Sequence, residues 1–148
     1  RADEADAMAD INFTGLIRAM GVVVPDMVAR DAGHIVITGS LSAFRGLPGA
    51  IGYAASKAGN KALAESMYAD LRKTGIQVQL ANPGFIRTRL TDKNEFSMPF
   101  IMEAEDVART MFEFMNTERF EISFARPFAW LFRLSRIMPG WLYYRLFA

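Results

Sequence analysis

Two short runs of β-branched residues, each stopped by small or turn-forming residues, constrain this chain more than any other feature. His34-Ile35-Val36-Ile37-Thr38-Gly39 and Ile76-Gln77-Val78-Gln79-Leu80-Ala81 read as buried strands. Between them, Tyr53 to Arg72 is rich in Ala, Lys, Leu and Glu and ends at Gly75, a good helix stop. Strands alternating with helices fit β-α-β units, in which the helix is the crossover that parallel strands need. The chain is therefore expected to be α/β with a parallel sheet.

The flanks repeat the pattern. Residues 3–31 predict one long helix, with Ile11, Leu16, Met20, Val23 and Met27 near helical spacing and a kink at Pro25. Residues 40–51 hold Gly46, Pro48 and Gly49 and predict a loop, and Asn82-Pro83-Gly84 stops the second strand sharply. Residues 85–102 predict a long loop or lid. Glu103 to Met115 predicts a helix with an acidic first turn, and Phe120 to Phe124 a third strand. Two short aromatic helices follow, split by Pro139-Gly140. Three strands are few for a parallel sheet, whose faces and edges need cover. Either further strands lie outside these 148 residues or the unit is incomplete.

Composition excludes several classes. The chain has no cysteine, which removes disulfides, thiolate zinc sites and Cys nucleophiles. A single histidine, His34, removes multi-His metal sites, and its place at the start of a strand gives it no catalytic role. The charge of +1 gives no reason to expect nucleic acid. Residues 1–10 begin with Arg1 and carry four acids, Asp3, Glu4, Asp6 and Asp10, which read as a solvated helix face and not as a leader. The natural start is expected to lie upstream. No uncharged apolar run reaches the roughly 18 residues of a membrane span.

The chemistry-bearing residues cluster from Ser40 to Lys57. Tyr53 and Lys57 stand at i and i+4, on one helix face about a turn apart. A phenol ionises near pH ~10, too high for acid–base work at neutrality, and a cation about 4–6 Å away favours its phenolate. The helix start pushes the same way. Such a pair makes a tyrosine a proton donor and acceptor, although an amphipathic helix with an exposed lysine has the same spacing. Ser40 follows a buried strand directly, at the sheet edge where α/β proteins place ligands, but turn-capping serines also sit there. Asn82-Pro83-Gly84-Phe85-Ile86-Arg87-Thr88 follows the second strand and opens at the same edge. It lets backbone approach a ligand, or simply ends the strand.

In order along the chain, Asn12 in INFTG, Ser40 in IVITGS, Tyr53 and Lys57 in YAASK, and then NPGFIRT resemble the short-chain dehydrogenase/reductase family. The resemblance covers essentially the whole chain, loosely beyond Glu103. It implies a Rossmann-type three-layer parallel sheet, of which this chain is the C-terminal half. It also implies hydride transfer between NAD or NADP and a carbonyl or alcohol carbon. Tyr53 would exchange the proton with the substrate oxygen, and Ser40 would hydrogen-bond that oxygen. Lys57 would bind the nicotinamide ribose and lower the pKa of Tyr53. Asn12 would hold a water continuing the proton path. Pro83, Gly84, Ile86 and Thr88 would position the carboxamide end of the nicotinamide. Gly39 stands where many members carry a second serine or another small residue, a mild variation that leaves Ser40 in place.

The family's Gly-rich phosphate turn is absent from these residues, so the choice of NAD or NADP is not legible and the chain alone is expected to be inactive. Residues 120–148 hold nine aromatic residues and four arginines against one glutamate. Phe128, Leu131, Leu134 and Met138 form one predicted helical stripe, with Arg133 and Arg136 turned away. That segment reads as a docking helix, as a lid over an apolar substrate, or as an interfacial membrane contact, the last not favoured. Residues 89–102, with Phe96, Met98, Phe100, Ile101 and Met102, would form the opposite wall. The reading is a cytoplasmic homo-oligomeric oxidoreductase. The alternatives are a truncated non-catalytic pairing or scaffold module, and an epimerase or dehydratase on the same scaffold.

Overall fold

A computed structural model describes residues 2–89, 91, 98 and 100–147. Helix α1 (Ala2–Ala9) passes through a π-helical turn at Asp10–Thr14 into α2 (Gly15–Ala29). Strand β1 (Gly33–Thr38) leads through a single 3₁₀ turn, Leu41–Ala43, to α3 (Ile51–Leu71) and β2 (Ile76–Asn82). Then come α4 (Ala104–Met115), β3 (Glu121–Ser123), α5 (Arg126–Ile137) and α6 (Gly140–Phe147).

The sheet has the order β1-β2-β3, all parallel, with Gly33 opposite Ile76 and Thr38 opposite Ala81. Alternation along the strands sorts the core onto two faces. Ile35, Ile37, Ile76, Val78 and Leu80 meet Ala64 and Met67 of α3 and Leu16, Met20, Val24 and Met27 of α2. Ala81 and Ile122 point the other way, onto Val107, Met111 and Phe114 of α4. Gln79, wholly buried on that second face, donates to the carbonyls of Phe114, Thr117 and Arg119 and so satisfies the open end of α4. Its Oε1 lies 2.7 Å from His34 Nε2, which gives the lone histidine a structural partner. The result is the three-layer α/β arrangement expected for a Rossmann-type parallel sheet.

The first helical run is continuous, as expected, and carries one feature the sequence did not signal. It continues through Pro25, and its irregularity is the π-turn at Asp10–Thr14. An extra residue in one turn rotates the following face without leaving a composition signal. The run Ala2–Ala29 is long and apolar enough in composition to cross a bilayer, yet its Leu16, Met20, Val24 and Met27 pack on the sheet. Helices α1 and α3 approach closely because α3 is notched: a Cβ at Gly52 would come within 2.7 Å of the Ala5 backbone, and one at Gly59 within 2.9 Å of the Phe13 ring.

The C-terminal helices also differ from the predicted stripe. Ala129 and Ser135 are buried, and Phe128 and Phe132 pack on Leu41 and Phe44. Leu131 and Leu134 face outward, 40% and 52% exposed. Apolar residues occupy both sides of α5, so spacing alone could not choose the docking side. Arg45 fixes the arrangement: its Nη1 donates to the carbonyls of Ser135 and Met138, and the guanidinium sits 4.1 Å over the Tyr143 ring. The Tyr143 hydroxyl donates to Gly46 O at 2.6 Å.

Leu80 is fully buried where β2 meets both neighbouring strands. Leu80→Ala is expected to cost about 2–5 kcal/mol, because the packed layers cannot collapse into the space left. Urea denaturation measures it, and a loss below about 1 kcal/mol would place the core elsewhere.

Candidate active site

The C-terminal ends of β1 and β2 bring Ser40 and the Pro83-Gly84 turn to one edge of the sheet. Ser40 caps the 3₁₀ turn in extended conformation, and its Oγ accepts from the Ser42 amide at 3.2 Å and the Ser42 hydroxyl at 2.9 Å. It is 8% exposed, so its packing is fixed before any ligand arrives. The Leu41 amide donates to Pro83 O at 3.2 Å, which ties the segment after β1 to the turn after β2.

Tyr53 lies in the first turn of α3, more than a third exposed, beside a groove lined by Ala5, Met8, Gly49 and Ile51. One turn on, Lys57 Nζ donates to Thr38 O at 3.0 Å and stands 5.9 Å from the Tyr53 ring centroid. Lys57 thus spans from the tyrosine to the end of β1, two residues before Ser40. Burial pulls its ammonium below the ordinary value of 10.5.

Asn12 sits within the π-turn, and its amide donates to Ser56 Oγ at 3.3 Å. Ser56 in turn donates to the Tyr53 carbonyl at 2.8 Å. The asparagine is therefore linked to the backbone of the tyrosine through a serine that the sequence reading passed over. The fourth residue of YAASK was its only signal.

In the second segment Pro83 is buried, and Gly84 lies against Leu41, Phe128 and Ala125. Ile86 bridges to Met102 in parallel fashion and packs in the α4 cluster. Thr88 is exposed. Its amide donates to Thr91 Oγ1 at 2.8 Å, and Thr91 Oγ1 lies 2.7 Å from Ile86 O. Thr91 was missed although a hydroxyl three residues on is a recognisable turn signature. Arg87 pairs with Glu103 at 2.8 Å, closing the base of the loop.

An aromatic series runs over Gly84. Phe128 lies 5.7 Å from Phe85, 6.0 Å from Phe100 and 4.9 Å from Phe132 between centroids. The 89–102 segment, expected to form the wall of an apolar pocket opposite the C-terminal helices, touches those helices at Phe100. Met102 turns away into the α4 cluster, and Phe96 lies outside the described residues.

Comparison with known proteins gives a consistent picture. The short chain dehydrogenase family model matches residues 1–97. An uncharacterized oxidoreductase of Myxococcus xanthus is 40% identical over 134 residues, 90% of this chain and 53% of its own length. The chain thus spans about half the length of the curated relatives it matches. A short-chain dehydrogenase from Sphingobium yanoikuyae, solved with NADPH, superposes with a TM-score of 0.75 at 25% identity, over 83% of this chain and 49% of that one. One from Burkholderia phymatum, solved with NAD, gives 0.76 at 25% identity, over 87% and 56%.

The lowered Lys57 value has a stability consequence. The unfolded chain keeps the ordinary value, so between the two values it binds more protons than the folded chain, and stability rises with pH there. The penalty of a half-buried ammonium is full below the lowered value and gone above 10.5. Wild type should therefore gain stability relative to Lys57→Met as pH rises toward 10.5, and the gain should level off above it. Urea denaturation of both proteins across that range checks the sign; a flat difference would mean the ammonium is as well solvated as in the unfolded chain.

Proposed function

This chain belongs to the short-chain dehydrogenase/reductase family, an oxidoreductase family, and from that premise we propose that it is the catalytic half of an NAD(P)-dependent carbonyl reductase or alcohol dehydrogenase. The observation that carries the reading is Lys57, held between Tyr53 and the strand end that leads to Ser40. Tyr53 gives a proton to the substrate oxygen in reduction and takes it in oxidation. Ser40, held by Ser42, hydrogen-bonds the same oxygen and fixes its direction. Asn12 holds the water through which the proton is replenished, next to Ser56.

The residues present fit the nicotinamide end of the cofactor. An ammonium has three donors, and Thr38 O takes one, which leaves Lys57 donors for a vicinal diol. The Pro83-Gly84 turn, Ile86 and Thr88 supply backbone and hydroxyl groups at the same edge for a carboxamide. NAD or NADP, once bound, supplies or accepts the hydride. The diphosphate is held outside these residues, so the 148-residue chain alone binds dinucleotide weakly and does not turn over. The substrate is a small carbonyl or alcohol, apolar where it meets Phe85, Phe100 and Phe128. The protein works in the cytoplasm as a homo-oligomer, with the outward Val22, Val23 and Val28 of α2 covered by a second copy.

In the full-length protein carrying this chain, Tyr53→Phe should lower kcat by about 10²–10⁴-fold with cofactor affinity nearly unchanged, because only the transferable proton is lost. Lys57→Met should weaken cofactor binding as well. Steady-state kinetics with NADH and NADPH over a panel of ketones and aldehydes, with cofactor titration, measures both. A Tyr53→Phe enzyme with near-normal turnover would remove the proton-transfer role.

A further inference from the structure

Tyr53 and Lys57 have a third companion one more turn along α3. Lys61 is only 6% exposed, unusual for a lysine. Its Nζ lies 2.8 Å from Glu65 Oε1 on the same helix and 3.0 Å from Glu121 Oε1 on β3. It also stands 5.1 Å from the Phe44 ring centroid, at the end of the Ser40 turn. The Glu121 oxygen that meets Lys61 also accepts from Asn82 Nδ2 at 2.6 Å.

Asn82 joins the two strand ends. It is wholly buried, and Phe124 N donates to its carbonyl at 3.1 Å. The carbonyl of the next residue, Pro83, accepts from Leu41. The Asn82 side-chain Oδ1 has no hydrogen-bond partner among the described residues and occupies the place where a Cβ at position 39 would stand. That is the physical reason for glycine directly before Ser40: the amide oxygen of Asn82 fills the space.

A buried ammonium is tolerated only when paired, and a buried asparagine keeps one orientation only when one end is held. Lys61 fixes Glu121, Glu121 fixes the amino end of Asn82, and the oxygen end then rests on Gly39. We propose that Lys61 is a positioning residue which, through Glu121 and Asn82, sets the separation between Tyr53 on α3 and Ser40 after β1. This rests on the reading of Tyr53 and Ser40 as the proton donor and the oxygen-binding group. Lys61 itself touches neither substrate nor cofactor.

The test uses the full-length protein carrying this chain, assayed with NADH and NADPH over a carbonyl panel. Lys61→Met should lower kcat about 10–100-fold, the scale of a small misplacement of reacting groups. Its KM for cofactor should stay within about threefold, because Lys57 is untouched. Lys61→Arg, which can still bridge to Glu121, should recover most of the loss. Thermal melting supplies a second measurement that does not depend on turnover or on Lys61→Met folding. Gly39→Ala should lower the melting temperature in wild type and much less in Asn82→Ala, since the methyl then meets no amide oxygen. A folded Lys61→Met protein with kcat within about twofold of wild type would overturn the positioning role alone, as would effects of Gly39→Ala and Asn82→Ala that simply add. A wild type without NAD(P)-dependent turnover would overturn the catalytic reading, and the positioning role with it.

Discussion

The parallel pairing of β1 with β2 is the constraint on which the rest depends. A parallel pair puts both C-terminal ends on the same side, whatever loops follow. Ser40 and Pro83 leave the sheet there, and the bond from Leu41 N to Pro83 O joins their loops directly. Antiparallel pairing would send the two loops to opposite ends and leave no shared edge for a ligand. The crossover that parallel pairing demands is α3, and its first turn is where Tyr53 stands.

Helix α3 carries two incompatible demands on two sides. Toward the strand ends it presents Tyr53, Lys57 and Lys61 at successive turns, two of them charged groups that reach backbone or carboxylate partners. Toward α1 and the π-turn that follows it, it presents Gly52, Ser56 and Gly59, small enough for the helices to approach closely. Ala64, Met67 and Leu71 further along seal the core. Its low amphipathic contrast follows from this division: the polar Ser56, Asn60 and Lys61 are buried, while the apolar Ile51, Ala55, Ala58 and Ala62 are exposed.

Much of this was legible in the sequence because the signals are local. The strands follow from β-branched runs, and the stop after β2 from Asn82-Pro83-Gly84. Tyr53 and Lys57 share a face through simple helical spacing. What was not legible depends on residues far apart in the chain. Lys61 and Glu121 are sixty positions apart, and nothing near either announces the pair. Gly39 read as a mild variation until Asn82 was placed against it. The π-turn at Asp10–Thr14 escaped because one inserted residue barely disturbs an apolar pattern, while Pro25, a strong local signal, sits inside a continuous helix. On α5 the pattern offered two apolar sides, and only tertiary contact with Leu41 and Phe44 selects one.

Arg45 gives the C-terminal helices a dependence that their position in the chain does not suggest. The last carbonyls of α5 have no partner within their own helix, and two of them are satisfied by a guanidinium borrowed from the loop between Ser40 and Tyr53. The Tyr143 hydroxyl returns the favour one residue later, at Gly46. The loop and the tail are thus a single unit of inheritance. A tail exchanged between relatives would arrive without its cap unless residues 45–46 travelled with it, and a loop exchanged alone would strip the tail it left behind.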